Sequence, residues 1–241
     1  MGDGGTVTDG WALALETSGD AGGVAVGRGA SVLDVRQLDS GRRHAAELLP
    51  TIAALCRDHG IEPMDLGNVY VSRGPGSFTG LRIGITVARM LALAGGATVV
   101  GVPTMDAIAH NALDVSPPPQ RLVVLLDARR GNVYGASYRL TGERYQAEAE
   151  PAEVAPAVFL TGQAPETAVI GQGVTDHLQV VRDSGLAMLP TALHPPNVEM
   201  IYRLGHLRAQ AGRFDDPRRL VPTYIRKPSA EEVWERKQRE E

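Results

Sequence analysis

Cysteine is nearly absent from this chain of 241 residues: the single Cys56 excludes an internal disulfide and a thiolate-rich zinc cluster. Its helical spacing among apolar residues marks it as a core cysteine rather than a nucleophile. An excess of positive charge is missing too. Lys and Arg number 24 against 28 Asp and Glu, a formal net charge of −4, so no global basic field draws in nucleic acid. No apolar stretch reaches membrane-spanning length without interruption. The opening MGDGGTVTDG has neither the basic start nor the apolar run of a signal peptide. Together these point to a cytoplasmic protein with no membrane partner. What remains is ordinary for a globular chain, 43% hydrophobic and 22% charged, long enough for one large domain or two small ones.

The stretch that stands out runs from Val69 to Gly96, VYVSRGPGSFTGLRIGITVARMLALAGG, and reads as strand, glycine loop and helix. From Thr79 to Leu93 the only charges are Arg82 and Arg89. The other positions are apolar or small all the way round, whereas a helix packed on one side of a domain shows a polar outer face. Such a helix is either central to a large core or covered by a second protein, and the size of the chain favours a partner. The preceding helix, predicted from His44 to His59, also has too wide an apolar stripe, with Leu48, Leu49, Ile52 and Leu55 among its members.

Along the chain, Trp11–Leu15, Gly23–Val26 and Ser31–Leu38 read as an antiparallel meander. Glu16-Thr17-Ser18 at its first corner suits a phosphate or a metal, but its spacing favours a plain turn, since Ser and Thr bond their own backbone. Val69–Ser72, the helix and Thr98–Val102 form a right-handed parallel crossover. A helix is expected over Thr104–Ala112. The proline-rich stretch 114–120 then separates an N-terminal lobe, 1–113, from a C-terminal lobe, 121–241. The second lobe opens as the first does: WALALETSGDAGGVAVG matches LVVLLDARRGNVYGASY in pattern, which suggests an internal duplication. Later elements are expected at Ala168–Ile170, Val174–Ser184 and Asn197–Ala211, with an extended segment at Leu220–Ile225 and a charged run at the end.

The glycine loop, Gly74-Pro75-Gly76-Ser77-Phe78-Thr79-Gly80, offers backbone N–H groups at a helix N-terminus, where an anion can sit. It is neither a Walker loop nor a dinucleotide fingerprint. The other reading is that its glycines permit close backbone packing while Ser77 or Thr79 caps the helix. Residue types alone leave both open.

GPGSFTGLRIG, with LALETS upstream, LLDARRGNVYGASY in the centre and PTYIRKP late, resembles the bacterial TsaB (YeaZ) family over about Trp11 to Ala230. The resemblance implies a duplicated actin/Hsp70/sugar-kinase-like (ribonuclease H-like) α/β fold in two lobes. It also implies a non-catalytic scaffold in making threonylcarbamoyladenosine on the tRNA adenosine next to the anticodon. The implied partners are a TsaD-like catalytic subunit and a TsaE-like ATPase. A homodimer is expected when the chain is alone, and tRNA is met only indirectly. The family's interface helices correspond to about 44–59 and 78–95, which makes His44, Leu48, Ile52, Leu55, Arg82, Thr86, Arg89 and Met90 the interface candidates.

The catalytic relative carries two metal-binding histidines four positions apart, where this chain has Thr104 and Ile108. Ile108 has no lone pair, and the nearby His110 is out of register, so no metal is expected. Glu16, Thr17 and Asp127 occupy the places of the fold's nucleotide contacts. Glu16 stands where many members have Asp, and the first turn is short of glycine. No cofactor of its own is therefore expected, only ADP/ATP shared with the partner. Three other functions compete: a sugar-kinase-like phosphotransferase, a peptidase using His44, Ser77 and Asp127, and direct tRNA binding through the dispersed pairs Arg42-Arg43, Arg129-Arg130, Arg218-Arg219 and Arg226-Lys227.

Overall fold

The computed structural model describes residues 10–38 and 44–225, the side chains of His44 and Ala45 excepted. The charged C-terminal run, Arg42-Arg43 and Arg226-Lys227 lie outside the described residues. The first half contains β1 (Trp11–Glu16), β2 (Gly23–Arg28), β3 (Ser31–Gln37), α1 (His44–Asp58), β4 (Leu66–Ser72), α2 (Phe78–Gly95), β5 (Thr98–Val102) and α3 (Thr104–Asn111). The second contains β6 (Arg121–Arg129), β7 (Asn132–Thr141), β8 (Arg144–Ala147), β9 (Ala152–Val154), α4 (Pro156–Thr161), β10 (Ala168–Ile170), α5 (Gly173–Asp176), α6 (Leu178–Asp183), β11 (Ala187–Met188) and α7 (Val198–Gln210).

The two sheets repeat one plan. The first has the order β3-β2-β1-β4-β5, with an antiparallel meander followed by parallel neighbours β1, β4 and β5. The second, written from the other edge, is β8-β7-β6-β10-β11, again a meander followed by the parallel neighbours β6, β10 and β11. This is the duplicated actin/Hsp70/sugar-kinase-like α/β fold expected from the sequence.

Alternation along the strands sorts side chains onto two faces of the first sheet. Leu13, Leu15, Val69, Val71 and Val99 face α1 and α2, while the smaller Ala12 and Ala14, with Tyr70 and Val100, face α7. Each half lends its last helix to the other: α3 places Met105 and Ile108 among Leu122, Val124 and Tyr138 of the second lobe, and α7 covers the first sheet. The boundary expected at 114–120 therefore needs correction. It separates the two sheets, but residues 198–225 return to the first lobe. After α7, Asp215 bridges Val99, the Leu220 side chain is buried in the α1–α2 core, and the Thr223 N–H donates to the Arg73 carbonyl at 2.7 Å. We call residues 215–225 the strap.

Two local differences have simple causes. The expected helix over Val174–Ser184 is broken at His177, whose φ of −121° and ψ of 33° are not helical. β2 runs on past Gly27, where a register shift lets the strand pass close under the Tyr202 ring. No side chain larger than hydrogen fits there.

Candidate functional site

Helix α2 is half core and half surface. Ser77 caps it, its Oγ accepting from the Gly80 N–H at 3.2 Å, and Gly96 in the left-handed region (φ 76°) ends it. Leu81, Ile85, Ala88, Leu91 and Ala92 are buried against the first sheet. By composition the helix is apolar enough to cross a membrane, but its inner face is committed to this core. Arg82, Thr86, Met90 and Leu93, at helical spacing, line the outer face, with Arg89 half-buried beside them. Met90 is 48% exposed and Leu93 53%.

Helix α1 differs from expectation. Leu48, Ile52 and Leu55 are not surface residues: all three are buried in the chain's own core, beside Cys56. They form the inner stripe that any helix on a sheet must supply. The outer side instead presents Ala46, Leu49, Pro50 and Ala53, with Leu49 46% exposed. The His44 side chain lies outside the described residues. Neither Leu49 nor Leu93 is among the interface candidates read from the sequence. On α2 the signal was present, since Arg82 and Arg89, seven apart, mark a stripe that also contains Met90 and Leu93. On α1 adjacent leucines disguised which face was which.

The glycine loop resolves its two readings mainly in favour of packing. A Cβ at Gly80 would fall inside the Thr17 carbonyl oxygen, and one at Gly84 would overlap Thr17 Oγ1. One at Gly76 (φ 158°) would lie 2.5 Å from the Ser18 carbonyl oxygen. The start of α2 is therefore seated directly on the corner after β1. The Ser77 N–H donates to the Ser18 carbonyl at 2.7 Å, and the Leu81 N–H to the Ser77 carbonyl. Gly74 and Pro75 are buried, while Gly76, Ser77, Phe78 and Thr79 remain exposed.

That seating seals the corner. Glu16 is 1% exposed, and its Oε1 accepts from both the Ser18 N–H and the Ser18 hydroxyl. Its Oε2 is buried without a partner, and burial raises its pKa above the ordinary carboxylate value. The hydrogen bonds from Ser18 oppose that rise without overcoming it. Thr17 is fully buried, its N–H donating to Ser72 Oγ at 3.3 Å. Asp127 is part-exposed but occupied with its own hairpin: it accepts from the Arg129 N–H at 2.9 Å and lies 3.5 Å from Arg129 Nε. Arg129 and Arg130 hold the turn in the left-handed region, φ 66° and 55°.

Between the lobes lies a cleft of about 1010 Å³ into which Ser18, the exposed part of the glycine loop, Asp127, Arg129, His194 and Tyr224 project. Of the three nucleotide-contact candidates only Asp127 lines it; Glu16 and Thr17 are buried and do not. Ser77 and Asp127, two of the imagined peptidase residues, do share this cleft. Thr104 and Ile108 are both buried, Ile108 in the core between lobes. His110 Nδ1 lies 2.7 Å from the Asp106 carbonyl oxygen, and burial depresses its pKa. Among the described residues no cluster of three or more His, Cys, Asp or Glu has metal-binding geometry.

Residues 38–234 match the sequence profile described as "TsaD: tRNA N6-adenosine threonylcarbamoyltransferase". The chain is 28% identical over 232 residues to the tRNA threonylcarbamoyladenosine biosynthesis protein TsaB of Bacillus subtilis, covering 92% of this chain and 96% of that protein. The Escherichia coli protein of the same name is 28% identical over 221 residues, covering 89% and 94%. A solved structure, YeaZ from Pseudomonas aeruginosa, superimposes with a TM-score of 0.76 at 25% identity, covering 89% of this chain and 99% of that one. The chain belongs to the TsaB (YeaZ) family. Its membership agrees with the four sequence blocks, all of which reach the cleft: Ser18 of the first corner, the glycine loop, the Asp127–Arg130 turn and Tyr224 of the strap.

Proposed function

We propose that this chain is a non-catalytic scaffold of tRNA threonylcarbamoyladenosine synthesis, docking through α1 and α2 onto a TsaD-like catalytic subunit. A TsaE-like ATPase joins that pair, tRNA is met through the partner, and the chain alone forms a homodimer through the same surface in the cytoplasm. The observation that carries this reading is the outer face of α2 and α1, where Met90, Leu93 and Leu49 are each about half-exposed. Exposed apolar residues scattered singly need no explanation, but a contiguous apolar patch on neighbouring helices marks an interaction surface. Obligate interfaces are apolar in this way.

The chemistry of the corner favours a scaffold over an enzyme. A carboxylate that meets nucleotide or metal must line the cavity that holds it, and Glu16 does not line the cleft. Thr104 and Ile108 supply no metal-binding pair. The scaffold has no nucleotide site of its own; any ADP/ATP contact is shared with the partner, through the part of the cleft lined by Asp127 and Arg129. Co-expression with the TsaD-like relative followed by size-exclusion chromatography tests the pairing: a joint peak is expected, and separate elution at micromolar concentration would refute it.

A further inference from the structure

We infer that the strap is a third element of the docking surface and gives it a cationic edge, so that the partner's facing edge is acidic. This rests on the α1–α2 reading above and adds to it the strap and the chemistry of the partner.

The strap lies along α2 and touches the residues expected at its interface. The Arg89 guanidinium donates to the Arg218 carbonyl at 3.3 Å. Seven residues earlier, Arg82 Nε donates to the Tyr224 hydroxyl at 3.1 Å, while its guanidinium sits 3.7 Å from the centre of the Phe78 ring. Phe78 and Tyr224 themselves pack with ring centroids 5.3 Å apart. The strap therefore runs antiparallel to α2, from its C-terminal half to its first turn. It is firmly anchored behind: Leu220 is 4% exposed, Gly101 N–H donates to Asp215 Oδ2 at 2.7 Å, and Arg73 Nε donates to Thr223 Oγ1 at 3.0 Å.

Among its exposed residues, Val221 and Tyr224 are apolar, beside Asp216, Arg218, Arg219 and Thr223. Eleven large hydrophobic residues are exposed among the described residues. Five of them belong to α1, α2 and the turn between α1 and β4: Leu49, Phe78, Met90, Leu93 and Met64. Two more, Val221 and Tyr224, belong to the strap. Seven lie on α2 or on elements packed against it, Phe78 and Tyr224 at the rim of the cleft, and four lie on other elements, so the strap shares the exposed apolar surface of α2.

Charge tells what covers it. Helix α2 contains no acidic residue, and neither does 217–225. Arg82, Arg89, Arg218 and Arg219 therefore line one edge; of the strap's two carboxylates, Asp216 accepts from the Arg218 N–H and lies 3.9 Å from Arg219, while Asp215 is taken up by the Gly101 N–H and Arg73. A homodimer through this face opposes two surfaces of the same sign, since both copies carry these arginines. A different protein presenting an apolar helical face with carboxylates along one side neutralises them instead. The occupant we assign is that second kind, a distinct partner with an acidic edge. The homodimer is the weaker, self-repelling use of the same face.

Association of the purified chain with the TsaD-like relative from the same genome, followed by surface plasmon resonance at about 0.05 and 0.5 M salt, tests this. The pair Arg82→Glu and Arg89→Glu is expected to slow association about tenfold at low salt, the difference shrinking to about twofold at high salt. Val221→Asp with Tyr224→Ala is expected to weaken affinity about tenfold or more, with circular dichroism unchanged. Salt should weaken the mixed pair but not the homodimer, measured by sedimentation. If the strap variants bind as wild type while Leu93→Asp abolishes pairing, the strap inference falls and the two-helix reading stands. If Leu93→Asp also binds normally, both fall. If the arginine variants associate as fast as wild type at low salt, or salt weakens the homodimer as strongly as the mixed pair, the acidic-partner assignment is overturned.

Discussion

Leu93→Asp is the most telling single substitution. Leu93 is 53% exposed on the outer face of α2, so the folded chain gains little from it, and a surface change there costs stability within about 0.5 kcal/mol. In a complex the remaining half would be covered. Fully burying a leucine contributes roughly 1.5–3 kcal/mol, so the missing half is worth about 1 kcal/mol. The aspartate adds the cost of an unpaired carboxylate in an apolar contact, at least about 2 kcal/mol. The sum, about 3 kcal/mol, corresponds to a dissociation constant raised roughly a hundredfold. Sedimentation of the wild-type and variant chains, alone and with the TsaD-like relative, reads this directly. Unchanged association, with thermal unfolding also unchanged, would show that α2 faces solvent in the working protein and refute the reasoning.

Ile52→Asp, in contrast, is expected to unfold the chain rather than break a complex, because Ile52 is 3% exposed in the core; loss of cooperative melting checks it. Gly80→Ala pushes a methyl group into the Thr17 carbonyl, which helix propensity cannot offset, and is expected to cost about 1–3 kcal/mol, a melting-temperature drop of roughly 2–12 °C. Glu16 has a folded pKa above its unfolded value, so its contribution is complete below the unfolded pKa near 4.5 and is lost as pH rises toward the folded one. Glu16→Gln should therefore flatten the fall in stability over that rise, seen as a melting temperature that gains on wild type toward neutral pH. Titration calorimetry of the isolated chain with ATP and Mg²⁺ should give no saturable micromolar isotherm, since two of the three candidate contacts are buried and do not line the cleft.

Much of this was legible beforehand because the strong patterns are local. The meander, the crossover and the duplicated opening follow from period-two alternation and glycine turns, and they fix both sheets. The outer stripe of α2 follows from Arg82 and Arg89. What could not be read was long-range. Nothing in residues 198–225 announces that α7 covers the first sheet and that the strap then docks beside α2, a contact that spans 142 positions at Arg82 and Tyr224. The inward turn of Leu48, Ile52 and Leu55 is likewise set by the sheet beneath, which a helical wheel does not contain. The glycine loop remained divided because Gly80 and Gly84 earn their place from Thr17, over sixty residues away in sequence.

Threonylcarbamoylation of unmodified tRNA by the TsaD-like relative and its ATPase, with and without this chain, tests the scaffold role most directly. Modification should depend on adding the wild-type chain and be lost with Leu93→Asp. Equal product formation in the absence of the chain would contradict it.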